Sequence, residues 1–173
     1  MPPLVSFLAL WGGSDEQKTV TSEFEILAPV SGELVHLEKT NDPAFSSRAV
    51  GDGVAVVPQE GTVCAPVSGT VAALFPTEHA LGIMSDDSSA QVMLHIGIDT
   101  VKLEGKGFHA LVAQGDHVDA GQPLVEVDFD AVRAAGFDPT VFIIVCERSE
   151  SSTLREHASG PVAVKEPVIW LSE

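Results

Sequence analysis

H-A-L-G-I-M-S-D-D-S-S-A-Q-V-M-L-H-I-G-I-D-T-V, His79 to Val101, is the stretch that decides the reading of this chain. Two apolar runs flank a polar knot, Ser85 to Ser89, which is the pattern of a β-hairpin with a five-residue loop. With that loop Met84 faces Ala90, and His79 faces His95. Directly opposed residues of an antiparallel pair hold their Cβ atoms about 4.5–5.5 Å apart on one face, so the two imidazoles are expected to meet. A slip of one residue would spoil this parity. Val, Met, Leu and Ile favour a pleated, half-buried surface. His95 therefore stands on a rigid strand, and Gly97 and Asp99 behind it suit a tight turn. A histidine so placed is either a core residue with one satisfied hydrogen bond or a group presented for chemistry.

Outward from the hairpin, short apolar runs alternate with Gly, Pro and Asp at intervals of about eight to twelve residues, as in all-β sandwiches and barrels. A-P-V-S-G occurs at Ala28–Gly32 and again at Ala65–Gly69, each copy running into a strand, E-L-V-H-L or T-V-A-A-L. Two copies are too few for a solenoid. The expectation is an all-β, antiparallel sandwich or barrel-sandwich hybrid with an internal two-fold repeat, its prolines at edges or strand starts. Helical turns should be few. The best candidate is Asp130 to Ala135, followed by Gly136 and stopped by Pro139. Thr140 to Glu147 and Pro167 to Leu171 read as the last strands, with a polar connection from Arg148 to Ser159 between them. The organisation expected is a flexible or amphipathic tail over 1–22 and one β domain over 23–173. The tail's apolar run, Leu4 to Trp11, is too short to span a bilayer and has no preceding basic residue.

The 173 residues suit one domain with a substantial core, and 45% hydrophobic with 20% charged residues is ordinary globular composition. A net charge of -16, from 25 acids against 9 bases, argues against nucleic acid and anionic membrane as direct partners. Cys64 and Cys146 lie far apart in apolar settings and read as small buried hydrophobes of a reducing compartment, which points to the cytoplasm. The glycine-rich turns Gly51–Gly53, Gly105–Gly107 and Gly115–Gly121 match no phosphate-binding loop.

Two close imidazoles serve three kinds of chemistry. A metal needs a third and fourth ligand, and His36, His109, His117 and His157 show no ligand spacing with the pair. A hydrolase needs a nucleophile, and no Ser or Cys sits in an elbow motif. A phosphoryl carrier needs one neutral nucleophilic imidazole and one group to hold the phosphate oxygens.

The strings A-P-V-S-G, V-G-D-G-V-A-V-V-P, F-P-T-E-H-A-L-G-I and L-H-I-G-I-D-T-V-K-L-E-G-K-G-F, with the later G-D-H-V-D-A-G-Q-P-L, together resemble the glucose-class enzyme IIA of the bacterial phosphoenolpyruvate-dependent sugar phosphotransferase system. The resemblance runs from about Phe24 to the carboxy terminus. It implies that His95 takes phosphate from the histidine of the carrier HPr and passes it to a cysteine of a IIB domain linked to a IIC permease. It implies that His79 stabilises the phosphate, Thr77 orients an imidazole, Gly97 offers its backbone to the His95 ring, and Asp99 is the acidic residue beside the site. Phe45, Phe75 and Asp42 match rim positions where partners dock. Met93 stands where the family often has an aromatic, and Pro76 beside the site is a further departure. No cofactor is implied beyond transient phosphate on His95. Regulatory targets that read the phosphorylation state are also compatible, and the resemblance allows the two histidines to share a metal with a partner's carboxylate. A biotinyl or lipoyl carrier of hammerhead type shares the A-P-V-S-G and G-D-x-V-x-A-G-Q-x-L pattern, but it needs a lysine at a hairpin tip, where this chain has S-D-D-S-S.

Overall fold

The computed structural model describes residues 23–59 and 61–173, so the expected tail over 1–22 and its apolar run lie outside the described residues. In chain order the strands are β1 (Phe24–Leu27), β2 (Gly32–His36), β3 (Asp52–Pro58), β4 (Thr62–Cys64), β5 (Gly69–Leu74), β6 (Ala80–Ser85), β7 (Ala90–Ile96), β8 (Phe108–Ala110), β9 (His117–Val118), β10 (Pro123–Val127), β11 (Val141–Arg148), β12 (Thr153–Glu156), β13 (Gly160–Val162) and β14 (Pro167–Ser172). They form one eight-stranded sheet, β13-β2-β3-β11-β7-β6-β5-β9, and two three-stranded sheets, β1-β14-β12 and β4-β10-β8. Among the described residues every pairing is antiparallel, and none of the sheets closes into a barrel.

The main core joins all three sheets. Leu34, Val56, Ile83, Leu94 and Ile143 from the large sheet pack in one cluster with Ile169 of one small sheet and Leu124 of the other. A second cluster, Leu37, Phe45, Ala55, Phe142 and Ile144, forms on the opposite face of the large sheet. Strand β11 is thus buried on both faces through Val145, which explains its unbroken apolar run. Past that point its register against β7 shifts between Val145 and Glu147. Cys146 sits at this bulge and is exposed, correcting the expectation of burial, whereas Cys64 is buried as expected.

The repeat is structural. Ala28 and Ala65 accept backbone N–H bonds from Lys165 and Gly121, and the hydroxyls of Ser31 and Ser68 accept from the N–H groups of Val164 and Ala120. Each A-P-V-S-G copy is therefore clasped by a second repeated segment, V-A-V-K-E-P at Val162–Pro167 or V-D-A-G-Q-P at Val118–Pro123. Lys165 and Gly121 occupy the matching left-handed position, at φ 71° and 85°. A Cβ on Gly32 or Gly69 would run into the carbonyl of Val57 or Met84, so both strands open on a residue that only glycine can fill.

Pro123 and Pro167 begin strands, and Pro161 lies on the edge strand β13. Helix α1 (Pro43–Ser46) is capped by Asp42, whose carboxylate accepts the Ala44 N–H at 2.9 Å. Helix α2 (Phe129–Ala134) lies one residue earlier than expected because Asp128 caps it. Short 3-10 turns cover Leu37–Lys39 and Thr100–Leu103. The connection from Arg148 to Ser159, expected as a polar link between strands, contains a strand of its own, β12, at a sheet edge, whose T-L-R-E sequence carries charge too often to read as a strand.

Candidate functional site

Strand β7 alternates without a break. Ala90, Val92, Leu94 and Ile96 are buried in the main core, and Gln91, Met93 and His95 are half-buried on the other face. His95 is directly opposite Ala80 on β6 and Phe142 on β11, a small neighbour and a flat one that leave room for the imidazole. Its Nδ1 lies 2.8 Å from the Gly97 carbonyl oxygen, which can only accept, so Nδ1 carries the proton and Nε2 presents a lone pair. Gly97 makes that contact at φ 81°, with its own N–H bonded to the Thr140 carbonyl at 2.8 Å.

The hairpin register differs from expectation by one residue. Met84 faces Gln91, and the turn between β6 and β7 has four residues, Asp86–Ser89, because Ser85 stays in the strand and its hydroxyl takes the Ala90 N–H. His95 consequently faces Ala80, not His79. The two imidazoles nevertheless meet, with ring centroids 5.0 Å apart and planes at 85°. His79 stands outside β6, one residue after Glu78 in the left-handed region at φ 61°, so strand alternation does not govern its side chain. Thr77 Oγ1 lies 2.6 Å from His79 Nδ1. His79 is buried, and burial first, with His95 beside it second, pushes its pKa down to about 4. The His95 pKa is also lowered by burial, opposed by its Gly97 hydrogen bond and by the charges of Asp42 and Asp99. Both rings are favoured in their neutral forms at neutral pH.

The rim expected from the sequence divides in two. Phe45 is only 5% exposed: it stacks on Phe142 with centroids 4.3 Å apart and tilts against His95 at 5.2 Å, so it is the floor of the site and not its rim. The capped turn of α1 folds it down onto the second core cluster. Met93 packs against the same cluster and stays half-buried. Phe75 is 48% exposed and stacks on His79 at 5.5 Å, an aromatic face open to a partner. Asp42 is half-buried at the cap of α1, and Asp99 is exposed at φ 60° with no cap hydrogen bond from its side chain. Their two charges flank His95.

Three contributors escaped the sequence reading. Phe142 had only its apolar strand as a signal. The Asn41–Asp138 hydrogen bond, 3.3 Å, joins the α1 turn to the Gly97 turn, where Asp138 also takes the Ile98 N–H on its carbonyl. The run D-P-A-F at Asp42–Phe45 is a helix start, a capping Asp followed by Pro, and could have been read.

Chemically the arrangement supplies a neutral nucleophilic nitrogen, a second neutral imidazole at its edge, and an apolar bed beneath them. Among the described residues no group of three or more His, Cys, Asp or Glu converges as a metal site. Among the same residues no helix is long and apolar enough to cross a membrane.

The chain is 41% identical over 144 residues to the glucose-specific EIICBA component of the phosphotransferase system (PTS) of Streptococcus pneumoniae, covering 83% of this chain and 20% of that protein. It is 40% identical over 161 residues to the PTS beta-glucoside-specific EIIBCA component of Bacillus subtilis, covering 92% of this chain and 26% of that one. The chain thus spans about a fifth to a quarter of the length of these curated relatives. The solved glucose permease IIA of Mycoplasma capricolum superposes with a TM-score of 0.79 at 35% identity, over 86% of this chain and 95% of that one. The family model described as phosphoenolpyruvate-dependent sugar phosphotransferase system, EIIA 1, matches residues 24–151, a span that holds both histidines and the whole of their setting, and the chain belongs to that family.

Proposed function

We propose that this domain is the IIA phosphoryl carrier of a sugar phosphotransferase system, with His95 as the residue that carries the phosphate. The observation that carries the reading is the Nδ1–Gly97 hydrogen bond, which leaves Nε2 as the free nucleophile on a ring that burial favours in its neutral form. In the accepting step the Nε2 lone pair attacks phosphorus of a phosphohistidine on the donor, HPr, and the donor's P–N bond breaks with its electron pair returning to the donor imidazole. In the delivering step a cysteine thiolate of a IIB domain attacks the same phosphorus, and the bond to Nε2 breaks. In-line displacement of this kind asks the protein mainly for positioning and charge stabilisation.

His79 supplies the stabilisation. With the Thr77 hydroxyl donating to Nδ1, His79 carries its proton on Nε2 and donates it to a phosphoryl oxygen. Phe75 and the acidic pair Asp42 and Asp99 suit docking of a partner with an apolar and basic face. The transfer as proposed uses no metal and no nucleotide and takes place in the cytoplasm, with IIB and IIC as the acceptor domains that the relatives' names also carry. The lipoyl-type reading loses its support, since the hairpin tip, Asp86–Ser89, holds no lysine.

Incubating the chain with labelled phosphoenolpyruvate, enzyme I and HPr tests the proposal: the wild type takes label, His95→Ala takes none, and label retained by His95→Ala overturns it.

A further inference from the structure

We infer that Glu78 is a positioning residue: its left-handed backbone, tied to β8 through its own carboxylate, aims the His79 ring at His95. Nothing in the transfer chemistry uses Glu78 directly, and the inference rests on the carrier reading only for its consequence in transfer. The hairpin between β5 and β6 closes through two backbone bonds, Glu78 N–H to the Phe75 carbonyl at 2.8 Å and Phe75 N–H to the Ala80 carbonyl at 3.0 Å. His79 keeps its carbonyl on the Ile96 N–H at 2.7 Å, the bond an extension of the β6–β7 ladder would make. Continued as regular strand, that pairing would send the His79 side chain to the Ile96 side, into the main core and away from His95.

Its ring instead lies 5.0 Å from the His95 ring and stacks on Phe75. The residue immediately before it has φ 61°, a region that a glutamate without a reason to be there leaves. The reason is the carboxylate: Glu78 Oε2 accepts the Ala110 N–H at 2.9 Å across 32 residues of sequence. That bond ties the turn to β8 in a different sheet, so the turn is fixed at both its own closure and its flank. Thr77, immediately before Glu78, then has its hydroxyl within reach of His79 Nδ1. One strained residue therefore sets two properties of the second imidazole, which face it occupies and which nitrogen meets the threonine.

Three variants of the full chain separate the parts. Glu78→Gln keeps an oxygen acceptor for Ala110, Glu78→Gly keeps access to the left-handed backbone without the tie, and Glu78→Ala loses both. In the unphosphorylated protein, histidine NMR reads the His79–His95 ring contact and the His79 titration midpoint. Glu78→Gln should match the wild type. Glu78→Ala should lose the inter-ring contact and move the midpoint from about 4 up toward 6.5, with Glu78→Gly between them. In phosphotransfer, Glu78→Ala should take up phosphate and deliver it to a IIB cysteine each about tenfold more slowly than wild type, because both displacements draw on the same His79 contact. An unchanged ring contact and midpoint in Glu78→Ala overturns the inference. Because the NMR reading needs no phosphate, a wild type that takes no label would end the carrier reading while leaving this one to be decided separately.

Discussion

Acidification is the perturbation whose effect on this protein follows most directly from the site. His79 is buried and held near pKa 4, against 6.5 for the free side chain. Between those two values the unfolded chain binds a proton that the native site refuses, so stability rises with pH across the window. The contribution is complete above pH 6.5 and is lost as the pH falls from 6.5 toward 4. A gap of this size corresponds to about 3 kcal/mol. Carboxylates titrate at the lower end of the same range, so the wild type should be compared with His79→Gln, which keeps those groups and removes the ring. Urea denaturation of both proteins between pH 7 and 4 should show the wild type losing about 3 kcal/mol more than the variant. His95 titrates in both proteins and largely cancels, although its own lowered pKa acts in the same direction. Equal losses in the two proteins, or an NMR midpoint for His79 above 6, would refute the claim that burial keeps this ring neutral.

Gly97→Ala adds a Cβ at φ 81° that meets the Thr100 side chain and approaches the Asp138 carbonyl at 3.0 Å, so it should cost about 2–4 kcal/mol of stability by denaturant titration. It should also slow phosphate uptake, because the same residue fixes the His95 tautomer. Phe45 and Phe75 should separate cleanly. Phe45→Ala empties the buried floor and should cost about 3–5 kcal/mol. Phe75→Ala should leave stability within about 0.5 kcal/mol and weaken docking, read as a raised KM for the donor.

Strand alternation and repeated turn residues carried most of the fold. β7 could be read because its buried and half-buried positions alternate, and the A-P-V-S-G copies because Gly32 and Gly69 leave no room for a Cβ and the alanines are buried. The partner repeat escaped because Lys165 holds a left-handed position that its counterpart gives to Gly121, so the two segments look unrelated as strings. In the site, the contact of the two imidazoles is as expected, but it is reached through a pairing other than the one the hairpin loop implied. A four-residue turn in place of five moved the register, and a left-handed Glu78 restored the contact. The turn is held here by side chains, the Ser85 hydroxyl taking the Ala90 N–H and the Asp87 carboxylate accepting from Ser85 and Ser89. Phe45 matches a rim position by resemblance but lies in the floor, since a short capped turn folds it inward from a polar stretch. Such tertiary choices leave little trace in composition.

The account turns on which nitrogen carries the phosphate. The chain should be phosphorylated from phosphoenolpyruvate through enzyme I and HPr with 15N-labelled histidine, and the phosphorus–nitrogen coupling observed by NMR. The hydrogen bond from Nδ1 to the Gly97 carbonyl predicts a single phosphohistidine, His95 modified at Nε2. Phosphate on Nδ1 of His95, or on His79 in the wild type, would contradict it.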